Sequence, residues 1–412
     1  MFLKKFVTII LLIVMFFVIN ISMKTQAESS INILDSSWEE ITNKASGTQV
    51  NFYMWGGSRT INEWVDNYVS TKLKERYNIN LNRVPMGPDD YLNKLLVEKQ
   101  VGKESSSIDL LWINGENFKI AMEHELLFGP FVEKLPNYNN YIDKNDEKNT
   151  IDFGYPTKGY EAPYSRAQFI FIYNNNKIKN PPETYNDFIN WIKENPGQFT
   201  YPAPPDFTGS AFLRHIIYNE CGGYQKFVNM DKSEVREEIK PALEFLVEIK
   251  PYLWREGETY PSTIAQLDNM FADGEVLMTM GYEPNKASSE IKKGNFPESA
   301  RPFIIKEGTI SNTNFLAIPF NAANKEGALV TINFLESFEA QLSKFNPENW
   351  GALPVFDYDK LSIEEKEELK EIDLGEASLS QKVLDDNSVP EIPADLVPII
   401  EEEWQKIVGK HS

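Results

Sequence analysis

Cysteine is almost absent from this chain. Among 412 residues there is one, Cys221. No intramolecular disulfide can form, so the fold must rest on apolar cores alone. Cys221 is followed by Gly222 and Gly223 and reads as a small buried side chain rather than a reactive thiol. Histidine is nearly as scarce, with His124, His215 and His411 scattered along the chain. No HExxH, GxSxG, phosphate-binding glycine loop or Cys/His cluster occurs, so no metal site and no cofactor are expected. Basic residues are also in deficit: 41 Lys and Arg stand against 61 Asp and Glu, a net charge of −20. Such a surface repels nucleic acid and anionic lipid, and no nucleic-acid partner is expected. There is no internal repeat and no low-complexity linker.

One long apolar run is present, at the amino terminus. Lys4 and Lys5 precede an apolar stretch over 6–19, and Thr25-Gln26-Ala27 offers small residues at a cleavage position. This order predicts a secretory signal cleaved near Ala27, and therefore an exported, extracytoplasmic protein. Ile21 and Met23 lengthen the run, so a retained anchor stays open as the other reading. Cleavage removes Lys4, Lys5 and Lys24 and no acid, leaving −23. About 385 residues remain, more than one core accommodates, which points to two lobes.

Downstream, strand and helix patterns alternate. Residues 49–55 read as a strand with Val50, Phe52 and Met54 on one face. Thr60 and Glu63 have capping-box spacing ahead of a helix carrying Ile61, Trp64, Val65 and Tyr68. Strands at 79–84 and 108–113 flank a helix over 88–103, the order of a parallel sheet with right-handed crossovers. Further strands are expected at 168–173, 276–280, 302–305 and 315–318. Thr184 and Asp187 cap a helix, and helical patterns recur at 209–220, 233–249, 263–272, 324–337, 362–371 and 395–408.

Several loops leaving these strands are rich in Gly, Asn, Trp, Tyr and Pro, where a solvated loop would be rich in Lys and Glu. Ligands bind at such positions in α/β proteins. In WGGS, Trp55 offers a ring face, Gly57 close backbone approach and Ser58 a hydroxyl; Ser58 serves equally as a helix cap. In DLLWINGENF, Asn114, Glu116 and Asn117 can fix a polar or cationic group, or satisfy their own loop. Tyr164, Arg166 and Gln168 adjoin a strand expected to cross between lobes; Arg166 equally suits a structural ion pair. In YPAPPDFTGS, Tyr201 can stack on a ligand, and Tyr201→Ala is expected to weaken binding with the fold intact. Thr208, Gly209 and Ser210 there open a helix whose free amides can hold an anion, unless Asp206 caps them itself. Tyr282 and Glu283 follow a strand and complete a set of rings and acids suited to a flat or cationic solute.

These segments together resemble the extracellular solute-binding proteins of ABC importers. NFYMWGGSRTINEWV, DLLWINGENF, LLFGPFVEKLPN, GYEAPYSRAQFIFIYNNNKI and NPGQFTYPAPPDFTGSAFLR carry the likeness, and FLAIPFNAANKEGALVTINFL resembles the segment that returns to the first lobe. Within that class the chain is most similar to the YnjB-like branch, related to thiamine and polyamine receptors. The resemblance implies an α/β, two-lobed periplasmic-binding-protein fold of type II. Each lobe would hold a mostly parallel sheet flanked by helices, joined by a multi-crossing hinge. It places one lobe at 48–165 with 303–345, the other at 167–300 with 350–412, and the ligand cleft between them. It implies a small-molecule solute, a membrane permease partner, a monomer and no catalysis. The favoured cargo is thiamine-like; a polyamine or small sugar is the next reading, and a ferric ion fits poorly without paired tyrosines. The competing reading is a secreted glycosidase drawing a carboxylate pair from Glu116, Asp206 and Glu283.

Overall fold

The computed structural model describes residues 33–409; the predicted leader and its cleavage point lie outside the described residues. Strand β1 (Gln49–Met54) buries Val50, Phe52 and Met54 on one face, as its alternation requires. It pairs parallel with β2 (Asn80–Pro85) and with β3 (Leu110–Ile113). The crossover after β1 begins with helix Arg59–Glu63, runs through a π-helical stretch Trp64–Val69 and continues as Ser70–Tyr77. Its cap is Ser58, not Thr60. Ser58 has extended backbone and its Oγ accepts the Ile61 amide at 3.4 Å, while the Glu63 carboxylate is drawn to Arg59 at 2.7 Å.

Strand β4 (Glu161–Gln168) ends in one sheet and β5 (Ile170–Asn174) begins in another. The single strand expected at 168–173 is therefore a junction between sheets. Strand β5 pairs antiparallel with β6 (Met278–Gly281) and β7 (Ala300–Phe303). The smaller sheet is thus antiparallel in its three strands, where a mostly parallel one was expected; hydrophobic runs reveal a buried strand but not its direction. Strand β8 (Thr309–Pro319) returns to the larger sheet, antiparallel to both β3 and β4.

Two large cores flank this junction. The first packs Val50, Phe52, Trp64 and Tyr164 with Leu316, Ile318 and Phe334. The second packs Phe169, Phe171, Phe188 and Phe212 with Met278, Ile310, Ile400 and Trp404. Four stretches fall outside the expected boundaries. Ile41 and Ala45 of helix Trp38–Ala45, and Trp350, Ala352 and Val355, join the first core, whereas Phe153, and Phe303 with Ile305 and Ile310, join the second. Apolarity shows that a residue is inside, not which core it enters. Helix Tyr185–Glu194 starts at the predicted capping box, with Thr184 Oγ1 donating to Asp187 at 2.7 Å. Among the described residues, no helix is long and apolar enough to cross a membrane.

Candidate functional site

A cavity of about 730 Å³ lies between the two cores, of a size that takes a small organic molecule. Loops leaving the carboxyl ends of strands build its walls: Trp55 to Ile61 after β1, Asn114 to Asn117 after β3, and Tyr282 to Lys286 after β6. Residues 205–208 and 262–269 close the second side. Ten residues singled out in the sequence line this cavity: Trp55, Gly57, Ser58, Asn114, Glu116, Asn117, Asp206, Thr208, Tyr282 and Glu283.

Six others lie off it. Tyr164 is fully buried between Trp112 and Trp350, with ring centroids 5.5 and 5.6 Å away. Arg166 makes the structural ion pair, to Asp146 at 2.7 Å. The Gln168 amide ties Thr309 Oγ1 to the carbonyls of Leu384 and Asn387. Tyr201 is fully buried, its ring 4.6 Å from Phe212 and its hydroxyl accepting from Trp404 Nε1 at 3.1 Å. It is a core residue, so Tyr201→Ala becomes a test of stability. Gly209 packs against backbone: a Cβ there would sit 1.9 Å from the Pro202 carbonyl oxygen. Ser210 is buried, and its hydroxyl accepts from Arg214 at 2.7 Å.

The helix start is not open to an anion. Asp206 Oδ1 accepts the amides of Thr208 and Gly209, each at 3.0 Å, and Oδ2 accepts the Ile264 amide at 2.9 Å. One carboxylate thus caps helix Phe207–Glu220 and holds the first residue of helix Ile264–Ala272. This also removes Asp206 as a free member of a catalytic pair.

The acidic wall can be followed group by group. Five carboxylates face the cavity: Glu116, Asp206, Asp268, Glu283 and Glu290; two cations, Arg59 and Lys286, oppose them. Arg59 is committed to Glu63, and Lys286 to Asp268 at 2.7 Å. Asp268 also accepts from Thr279, and Glu290 accepts from Thr60 at 2.8 Å and from Asn295 at 2.7 Å. Glu116 and Glu283 remain. The Glu116 carboxylate makes no ion pair among the described residues; it accepts from its own backbone amide and, at 3.3 Å, from the Asn117 side-chain amide. Among the described residues no side chain donates a hydrogen bond to Glu283. Burial pushes the Glu116 carboxyl up to about 7, with its own backbone amide pulling the other way. Burial raises Glu283 as well, against the opposing charge of Lys286.

Around these acids stand rings. Trp55 and Phe207 are the most open, at 41% and 42% exposure. Phe207 lies 5.0 Å from Tyr282. The Tyr282 hydroxyl donates to Glu391 at 3.0 Å, so it is its ring that is left for a solute. Glu391 in turn forms a buried pair with Arg214 at 2.9 Å. Asn114 is partly spent on its own surroundings: its Nδ2 donates to the Thr313 carbonyl at 2.8 Å and its Oδ1 accepts from Trp112 at 3.0 Å. Gly115 holds this turn at φ +59 with the Phe153 ring 3.1 Å from where a Cβ would be, and its amide donates to Asp152.

Sequence reasoning passed over Thr60, Trp112, Phe207, Asp268, Lys286 and Glu290, all of which line the cavity. Trp112, Phe207 and Thr60 lie inside segments whose composition drew attention, Thr60 there reading as a helix cap. Asp268, Lys286 and Glu290 sit on helices whose periodicity marks them only as surface. Among the described residues, no three His, Cys, Asp or Glu side chains are placed to hold a metal ion.

Similarity to known proteins identifies the family and the fold. Residues 69–358 match the family described as bacterial extracellular solute-binding protein. The chain is 35% identical over 390 residues to protein YnjB of Escherichia coli strain K12, covering 91% of this chain and 95% of that one. It is 27% identical over 213 residues to the putrescine-binding periplasmic protein SpuD of Pseudomonas aeruginosa, covering 49% of this chain and 53% of that one. The solved structure of the Tp0655 (TpPotD) lipoprotein of Treponema pallidum superposes with a TM-score of 0.64 at 15% identity, over 88% of this chain and 100% of that one, a likeness of fold. Family and fold are those of the receptors that ABC transporters use to bind solutes. The chain belongs to the bacterial extracellular solute-binding proteins, with the α/β periplasmic-binding-protein fold and a cavity walled by carboxylates and aromatic rings.

Proposed function

We propose that this protein is an extracytoplasmic receptor that closes on a small organic cation and delivers it, as a monomer, to a membrane permease. The observation that carries the charge assignment is the pair of wall carboxylates that make no ion pair among the described residues, Glu116 and Glu283, beside the open rings of Trp55 and Phe207. A buried carboxylate without an ion-pair partner is costly, and a cationic solute would supply the missing charge. The rings add cation–π attraction and a stacking face. A thiamine-like compound, which joins a positive charge to flat rings, matches both features. A polyamine matches the carboxylates and uses the rings less; SpuD, a partial relative, is described as putrescine-binding. A sugar would use the rings and leave both acids uncompensated. For a glycosidase, the commitment of Asp206 to three amides leaves Glu116 and Glu283 as the one free pair.

The test is mass spectrometry of small molecules released on denaturing the purified protein, paired with a thermal-shift panel of thiamine compounds, polyamines and sugars. A cation that co-purifies and raises Tm, with the shift lost in Glu116→Gln, is the expected result. A sugar that raises Tm equally in wild type and Glu116→Gln would overturn the charge assignment. Turnover of a glycoside would overturn the receptor reading.

A further inference from the structure

Glu290 lines the cavity, yet both of its carboxylate oxygens are taken. Oε2 accepts from Asn295 Nδ2 at 2.7 Å, a neighbour within the same segment, and this holds the carboxylate in one orientation. Oε1 accepts from Thr60 Oγ1 at 2.8 Å. Thr60 is 4% exposed and sits in helix Arg59–Glu63 beside Ile61 and Trp64 of the first core. Glu290 sits in helix Lys286–Lys292, where Ala287 belongs to the second core. The bond therefore joins the two cores directly, at the wall of the cavity.

The residues flanking this helix make two other contacts toward the first core. Asn285 Nδ2 donates to the Gly351 carbonyl at 3.0 Å, and Lys293 Nζ donates to the Asn349 carbonyl at 2.6 Å. Both land on the segment around Trp350, whose neighbour Leu353 is bonded to Arg166 in β4. Those contacts end near strands that pass between the sheets, and a rotation about the strands moves them little. Thr60 lies on the crossover that follows β1 in the first core and Glu290 on a helix packed in the second, so the Thr60–Glu290 distance lengthens when the cores separate.

We infer that Thr60 and Glu290 form a latch that holds the two cores together without solute, and that Glu290 is a closure residue and not a solute ligand. The inference rests on the two-lobed closing of the proposed function and is independent of which solute is bound. A hydroxyl donating to a carboxylate is among the stronger neutral-to-charged hydrogen bonds. Losing it is expected to shift the closed-to-open ratio about tenfold toward open.

The experiment attaches a donor and an acceptor dye to Glu75→Cys and Glu244→Cys, exposed positions on opposite cores, in protein stripped of small molecules. The native Cys221 is buried and stays unlabelled. Single-molecule distance distributions are compared for wild type, Thr60→Val, Glu290→Gln and the double variant, each checked for cooperative melting. The expected result is a closed population in the wild type that shrinks in both single variants, with no further shift in the double variant. Two populations in the wild type that neither substitution moves would overturn the latch and leave closure standing. One unchanging distance in every sample would also overturn the latch, while closure on a solute is read separately by scattering with the solute added. A solute panel that yields nothing would count against the proposed cargo alone, since no solute enters this measurement.

Discussion

At the proposed site, solute binding through Glu116 would be coupled to pH. Burial holds its carboxyl at about 7 against an ordinary 4.5. A cationic solute favours the ionised form, so binding should release a proton wherever the free group is still protonated. Affinity should rise as pH rises from 5 through 7 and then level off. Calorimetry in buffers of different ionisation enthalpy should report that released proton near pH 6. Glu116→Gln should flatten the profile and weaken binding about tenfold or more, the loss of one charge-assisted contact. A pH-independent affinity in the wild type would remove Glu116 from the solute contact. Tyr201 makes the opposite case. Its ring and hydroxyl are satisfied inside the second core, so Tyr201→Ala should cost about 3 to 5 kcal/mol of stability through the cavity it leaves. Urea denaturation measures this directly, and a loss of affinity without a loss of stability would return Tyr201 to the site.

Helix Phe207–Glu220 works at the scale of the element. Its amino end is capped by Asp206 at the cavity, and further along His215 ties it to β8. His215 Nδ1–H donates to the Ala211 carbonyl at 2.8 Å, and Nε2 accepts the Ile310 amide at 2.9 Å. The ring is therefore held neutral, and burial lowers its proton affinity to about 3 from 6.5. The sign comes from linkage. The unfolded chain takes up this proton near 6.5 and the folded chain does not, so stability present above that value is lost as pH falls toward 3. The loss is about 1.4 kcal/mol per pH unit below 6.5, or about 2 kcal/mol by pH 5. Glu116 acts in the reverse direction, since its raised value favours the fold at low pH and loses that contribution as pH rises through 7. The two separate by comparison: urea midpoints at pH 7.5, 6 and 5 should fall more steeply in wild type than in His215→Gln. Equal slopes would show that His215 charges in the native state.

The whole molecule is two cores joined by strands that change sheet. The pass from β4 to β5 and the length of β8 put continuous backbone between the cores, while the cavity is lined from both. A solute touching both walls stabilises the arrangement in which they are close. Small-angle scattering should therefore show a smaller radius of gyration on addition of the solute identified by co-purification. The same addition should raise Tm by an amount that grows with ligand concentration. A radius unchanged by a solute that does raise Tm would mean that the cavity fills without closure.

Much of this architecture is legible in local sequence patterns. Periodicity locates β1, β2, β3 and the helices between them, because side-chain alternation and the helical repeat are local consequences of burial on one face. Loop composition finds WGGS, DLLWINGENF and PPDFTGS, whose Gly, Asn and aromatic residues are unusual for plain solvated turns. What local pattern cannot contain is the partner of each group. Tyr201 and Phe207 stand six residues apart in the same loop segment, one sealed in the core and one open to the cavity. Asp206 has the chemistry of a ligand, yet the Ile264 amide, distant in sequence, occupies its second oxygen. Glu391, from the carboxyl-terminal region, takes the hydroxyl of Tyr282, and Thr60 takes an oxygen of Glu290. Local pattern is enough for the α/β elements, the acidity and the composition of the cavity loops. Which carboxylates are already paired follows from the folded arrangement alone, because pairing depends on distances of a few ångströms between residues far apart along the chain.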